Sequence, residues 1–189
     1  MSPRARQDND FERDLTERLL GSRRLAVVGV GDEEKPRDRL GMEAARKVDA
    51  LRLEGVTVFL AGVTPESYTG PLRQSRPDRI LMFDAADWKA APGSLRVLEA
   101  AQIESTSVST HSLPLSVVVE YLDAIVKIPT LVVGLQPDFG SSSRSLTAAE
   151  RRGVQQLASA LARARRRAPP KRKTGVTHPS SERRTHPQR

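Results

Sequence analysis

The sequence predicts an α/β fold: a single three-layer α/β/α domain built on a mostly parallel, twisted sheet of about five strands. Two observations predict it. Short, continuous apolar runs rich in valine, LAVVGVG (25–31) and TLVVGL (130–135), have the composition of strands covered on both faces. Between such runs lie segments with apolar residues three and four apart, the spacing of helices that bury one stripe. Strands that alternate with helices stack as a sheet between helical layers. No internal repeat interrupts this alternation.

The elements follow in order. Phe11, Leu15 and Leu19 in DFERDLTERLL (10–20) stand four apart and predict a helix. LAVVGVG is the first strand. Met42, Ala45, Val48 and Leu51 then give a helical stripe over 42–53, and VTVFLAGV (56–63) is the second strand. RILMFDAAD (79–87) begins as a third strand and ends in acids, and LRVL (95–98) makes a short fourth. In LPLSVVVEYLDAIV the apolar positions Leu115, Val118, Val119, Leu122, Ile125 and Val126 line one helix face, with Pro114 suited to the first turn. TLVVGL is the fifth strand. Thr147 and Glu150 have capping-box spacing and announce a last helix whose buried face is Val154, Leu157, Ala158 and Leu161.

After Arg163 the composition changes to prolines and like charges that bury too little apolar area to offset ordering entropy, which predicts disorder. The chain therefore divides into an N-terminal extension with a short helix (1–22), the α/β domain (23–166) and a disordered basic tail (167–189).

The net charge of +8 over 189 residues suggests nucleic acid until it is located. From Arg163 to the end there are ten Lys/Arg and one acid, Glu182, so the tail's excess outweighs that of the whole chain. The body is near neutral, and the tail has no aromatic residue to stack on bases, so nucleic acid is not the expected partner. There is no run of about eighteen apolar residues to span a membrane, no secretory signal, and no cysteine. A cytoplasmic protein is expected.

Ligands of open α/β sheets bind beyond the carboxyl ends of the strands. The polar residues there are Asp32, Glu33, Glu34 and Asp38 after the first strand, Asp84 and Asp87 after the third, and Gln136 and Asp138 after the fifth. His111, in SVSTHSLPL, lies between the fourth strand and the next helix, and the other histidines, His178 and His186, fall in the tail. Two carboxylates and a neutral imidazole would make a three-ligand site for a divalent ion. The same acids equally suit helix caps or solvent, and the same histidine suits a structural hydrogen bond to Ser109, Thr110 or Ser112. A dinucleotide fingerprint is rejected, because GVGDEEK (29–35) has glutamates where the third glycine and the pyrophosphate belong. G-x-S-x-G and H-E-x-x-H are absent.

Five segments in this order resemble the maturation endopeptidases of NiFe hydrogenases, the hydrogenase 3 type in particular: GVGDEEKPRDRLG (29–41), FLAGVTPESYTG (59–70), PDRILMFDAADWKAAPGSLRVL (77–98), STHSLPL (109–115) and VVGLQP (132–137). The likeness runs from about Leu25 to Leu161. The family's first segment, close to GxGNxxxGDDGxG, lays onto 29–41 without a gap, and its metal-binding aspartate falls on Asp38. The family's third-strand aspartate falls on Asp84, and its histidine on His111. The resemblance implies a phosphorylase/hydrolase-like fold and an endopeptidase, filed by convention as aspartic, that trims the C-terminal extension of a hydrogenase large-subunit precursor after nickel insertion. It implies that Asp38, Asp84 and His111 are both the catalytic residues and the ligands of nickel carried by the precursor. A monomer is expected.

The chain departs from the pattern at 36–39, where Pro-Arg-Asp-Arg replaces Gly-Asp-Asp-Gly. It departs again at Leu60, where the family has Asp or Asn, and at Thr-Pro-Glu-Ser (64–67), where it has Ala-Pro-Glu-Asn. Arg37 and Arg39 flank Asp38 and would either hold it ionised or draw it into salt bridges. These departures keep an alternative open: a protein of the same fold that binds nickel or the hydrogenase precursor without cutting it.

Overall fold

The computed structural model describes residues 3–106 and 113–167. The five expected strands form in the expected order: β1 Leu25–Val30, β2 Val56–Gly62, β3 Arg79–Ala85, β4 Leu95–Leu98 and β5 Thr130–Leu135. They make one sheet in the order β2-β1-β3-β5-β4. The β1/β2, β1/β3 and β3/β5 pairs are parallel. Only β4, at an edge, runs antiparallel, with Leu95 opposite Leu135 and Leu98 opposite Val132.

Residues along a strand face alternate sides, and each side carries its own core. Leu25 and Val27 of β1 and Leu81, Phe83 and Ala85 of β3 pack on one face. There they meet three helices: α1 Pro3–Arg18, α2 Leu40–Ala50 and α6, which runs from Ala148 to Arg167. Ala26, Val28 and Val30 of β1 with Ile80 and Met82 of β3 face the other way. That side holds the short helices α3 Thr69–Ser75 and α4 Ala100–Thr106, and α5 Leu115–Tyr121, which continues as a π-helical turn over Leu122–Val126. The result is the three-layer α/β/α arrangement read from the alternation of runs.

Helices α3 and α4 have no counterpart in the apolar periodicity. Among the described side chains, Leu72 and Ile103 are the buried apolar ones that each contributes, and one residue makes no stripe. Pro114 stands at the cap of α5 with an extended ψ of 136°, one residue before the first turn expected for it. The Thr147/Glu150 box forms as spaced: the Thr147 amide donates to Glu150 Oε2 at 2.7 Å and the Glu150 amide to Thr147 Oγ1 at 3.3 Å.

Helix also replaces the disorder expected immediately after Arg163. Arg163 makes a two-pronged pair with Glu12 of α1 at 2.5 and 2.6 Å. Arg165 donates to the carbonyls of Ser22, Arg23 and Glu54. Ala162 and Ala164 in the same turns are buried. Composition counts those arginines as repelling charges, whereas here each is tied to acid or carbonyl oxygen. Residues 168–189, which hold the rest of the basic tail, lie outside the described residues.

Candidate active site

The strand order sets the location. After β1 the chain crosses to β2 on one side, then returns to place β3 on the other. The connections diverge between β1 and β3, which opens a crevice at their carboxyl ends. The 31–39 segment leaves β1 at that point, and Asp84 is the penultimate residue of β3.

Glycines bring the 31–39 segment down onto the sheet. Gly31 has φ +123°, a conformation that L side chains rarely adopt, and a Cβ there would collide with the carbonyl oxygen of Asp38. Gly41, in the first turn of α2, sits where a Cβ would strike the carbonyls of Phe83 and Val30. The segment folds on itself through Lys35 N–H to Asp32 O (3.1 Å) and Asp38 N–H to Lys35 O (3.0 Å). Asp32 accepts the Glu34 amide on its side chain at 3.0 Å, and this bond is the main cause of its lowered pKa. Asp38 is thereby carried inward to 3 % exposure, where its Oδ2 accepts the Asp32 amide at 3.1 Å.

Asp84 is 2 % exposed. Alternation along β3 puts it on the Met82 side of the sheet, toward α3–α5. Its Oδ1 accepts the amide of Ala85 at 2.8 Å. Burial, and then the negative charge of Asp38, push its pKa up to about 8; the Ala85 hydrogen bond opposes them. The two buried carboxyl groups thus sense each other directly, and one holds a proton at neutral pH.

The flanking arginines bind elsewhere. Arg39 donates to the Arg144 carbonyl and pairs with Glu43 at 3.0 Å. Arg37 donates to the Phe139 carbonyl at 3.2 Å and lies 5.1 Å from the centre of the Phe139 ring. Both replace residues of the family pattern, and both tether the segment after β5 across the mouth of the crevice. Between the two segments lies a cavity of about 410 Å³ lined by Lys35, Pro36, Arg37, Asp38, Ser141 and Ser142.

The remaining acids at this edge build the frame. Glu33 pairs with Arg46 at 2.6 Å. Asp87 pairs with Lys89 at 2.5 Å, and its pKa falls to about 2 through the bonds to Lys89 and Gln136. Gln136 is buried and clamps the β3–β4 connection: its Oε1 accepts the amides of Trp88 and Ala90, and its Nε2 donates to Asp87 Oδ1 at 3.0 Å. The Asp138 side chain accepts the Gly140 amide, while its own amide donates to Glu150. Leu60 packs against the core on the α1/α2/α6 side.

His111 lies outside the described residues, as do Ser109, Thr110 and Ser112. Among the described residues no three His, Cys, Asp or Glu side chains are grouped to hold a metal ion. The structure therefore brings together Asp38 and Asp84 of the expected set. It adds Phe139, for which the sequence carries only the weak signal of an aromatic in a polar, glycine-containing segment.

Comparison with known proteins decides the family. The sequence profile described as hydrogenase maturation protease matches residues 42–164, well over half of the chain. The chain belongs to the hydrogenase maturation protease family. It is 28 % identical over 131 residues to a putative hydrogenase maturation protease of Methanocaldococcus jannaschii, covering 65 % of this chain and 78 % of that one. It is 30 % identical over 113 residues to the hydrogenase 3 maturation protease of Escherichia coli, covering 59 % and 72 %. The crystal structure of a NiFe hydrogenase maturation protease from Thermococcus kodakarensis shares the fold, with a TM-score of 0.69, 24 % identity and coverage of 81 % and 99 %. As a member of this family the chain is a peptidase-type hydrolase. No helix among its described residues is long and apolar enough to cross a membrane.

Proposed function

We propose that this family member removes the C-terminal extension of a NiFe hydrogenase large-subunit precursor once nickel has been inserted, working in the cytoplasm. The observation that carries the reading is the buried pair Asp38 and Asp84 at the β1/β3 crevice, where Asp38's charge helps hold a proton on Asp84. Burial and mutual repulsion give such a pair a preference for a positive charge nearby. A divalent ion carried by the substrate meets it: Asp84 releases its proton, and both carboxylates become oxygen ligands, with His111 as the nitrogen ligand. Docking then depends on whether the precursor has received its nickel.

Hydrolysis needs a base for the attacking water and an acid for the leaving nitrogen, and the two carboxyl groups are the candidates at this crevice. The substrate's ion contributes polarisation of the scissile carbonyl. The Pro-Arg-Asp-Arg departure does not favour a non-cleaving binder, since Arg37 and Arg39 are engaged with Phe139, Arg144 and Glu43.

The test is mass measurement of nickel-loaded and nickel-free precursor after incubation with the protein. Loss of the extension from the loaded form only, abolished by Asp84→Asn and by His111→Ala, is expected. A precursor that binds in a nickel-dependent way and keeps its full mass would establish the non-cleaving alternative instead.

A further inference from the structure

We propose that Arg37 selects a peptide with an acidic side chain at the position that enters the cavity beside Asp38. The inference rests on the peptide-processing reading above and names the chemistry of the segment it takes. Arg37 lines the 410 Å³ cavity directly next to the buried carboxylate. Its guanidinium is exposed and held in place twice, by one hydrogen bond to the Phe139 carbonyl and by the Phe139 ring beneath it. Lys89 approaches the same ring, at 5.8 Å.

Other cations around this edge already have acids. Lys35 pairs with Asp32 at 3.3 Å, Arg39 with Glu43, Arg46 with Glu33, and Lys89 with Asp87. Arg37 forms no ion pair among the described residues; it is held by the carbonyl and the ring of Phe139. A guanidinium that uses one N–H and one face to fix its position keeps the rest of its fork for a two-pronged carboxylate contact. Holding it over an aromatic ring lowers the side-chain entropy lost when a ligand arrives.

Electrostatics gives the site a reason to need such a group. The negative charge of the buried Asp38 repels an acidic peptide, and a fixed cation at the mouth reverses that for one carboxylate placed beside it. At this same position the family pattern has an aspartate, so the rim charge of this chain is inverted. An acidic side chain is therefore a preference of this chain's own cavity.

The experiment is fluorescence anisotropy on the full chain. The probes are labelled synthetic peptides of about 16 residues, amidated at the C-terminus, with Glu, Gln or Lys placed at each position in turn. The expected result is one position at which Glu binds about tenfold tighter than Gln, a factor in keeping with a charge-assisted two-pronged contact. Arg37→Gln should remove that preference, and Arg37→Glu should invert it toward Lys. Equal binding of the three series, a Glu preference that survives in both variants, or no binding by any peptide overturns the proposal. A preference seen only when the C-terminus is a free acid overturns the side-chain assignment. The readout is independent of cleavage. Charge-selective binding by a protein that leaves nickel-loaded precursor whole would sink the endopeptidase reading and leave this one standing.

Discussion

Asp84 and Asp87 stand three residues apart in one short motif, DAAD, and meet opposite fates. Asp84 is inside the sheet's edge, 2 % exposed, beside another carboxylate, with a pKa of about 8. Asp87 is past the strand's end, bonded to Lys89 and to the amide of Gln136, with a pKa of about 2. On the proposed reading the first exchanges its proton for a cation, while the second stays ionised and holds a loop. Environment, and not residue type, assigns the role. Three residues along the chain, from inside β3 to just past its end, separate the two environments.

The sharpest way to break the comparison is to neutralise each member. Asp84→Asn should lower precursor processing by about a thousandfold or more, a loss on the scale of removing a group essential to the chemistry. Asp87→Asn should leave processing within a fewfold of wild type, measured by the same mass assay. Asp84→Asn should also stabilise the metal-free protein, by about 1–2 kcal/mol near pH 8, because function and stability oppose each other at a strained charge site. A destabilised Asp84→Asn variant in urea titrations would contradict the electrostatic account of this site.

Gly31→Ala attacks the same region through the backbone. The added Cβ meets the Asp38 carbonyl at a φ that only glycine adopts freely. A destabilisation of about 2–3 kcal/mol is expected from such a clash, with processing lost in proportion to the displacement of Asp38. Thermal unfolding alongside the activity assay separates the two effects.

Stability against pH offers a third test. Asp84 keeps its proton in the fold up to about pH 8, whereas unfolded it loses that proton near its ordinary value of 3.8. Between these limits the native state binds more protons, so stability of the metal-free protein should fall as pH rises from about 4 to about 8. In Asp84→Asn this slope should flatten. Asp87 has the opposite sign: its contribution is present above 3.8 and is lost as pH falls through about 2.

The smallest effect concerns the clamp. Gln136→Ala leaves the amides of Trp88 and Ala90 without their acceptor and should cost about 1–3 kcal/mol. Processing should fall only modestly, because the clamp shapes the rim near Asp87 while Asp84 is held by β3.

Much of this fold was legible in the chain. Buried strands such as LAVVGVG and TLVVGL announce themselves because both faces must be apolar, and the Thr147/Glu150 box because its geometry fixes its spacing. α3 and α4 were not legible, since seven residues with one buried apolar side chain among those described leave no period to read. The residues after Arg163 misled for a related reason: a charge run looks solvated until Glu12 and the carbonyls of Ser22, Arg23 and Glu54 are brought to it.

The sequence by itself determined which residues stand at strand ends and so which side chains were eligible for chemistry. It placed Asp38 and Asp84 among the polar residues at strand ends, because an α/β sheet presents its carboxyl edge to ligands, and the family resemblance, which adds His111, singled out these two. Only the tertiary structure decided how they differ from Asp32, Asp87 and Asp138. Burial depth, the charge of a neighbour and the partner of a guanidinium are set by chain segments far apart in sequence, such as 37 and 139 or 39 and 144. Local pattern carries no information on those distances, and the pKa values that separate Asp84 from Asp87 depend on little else.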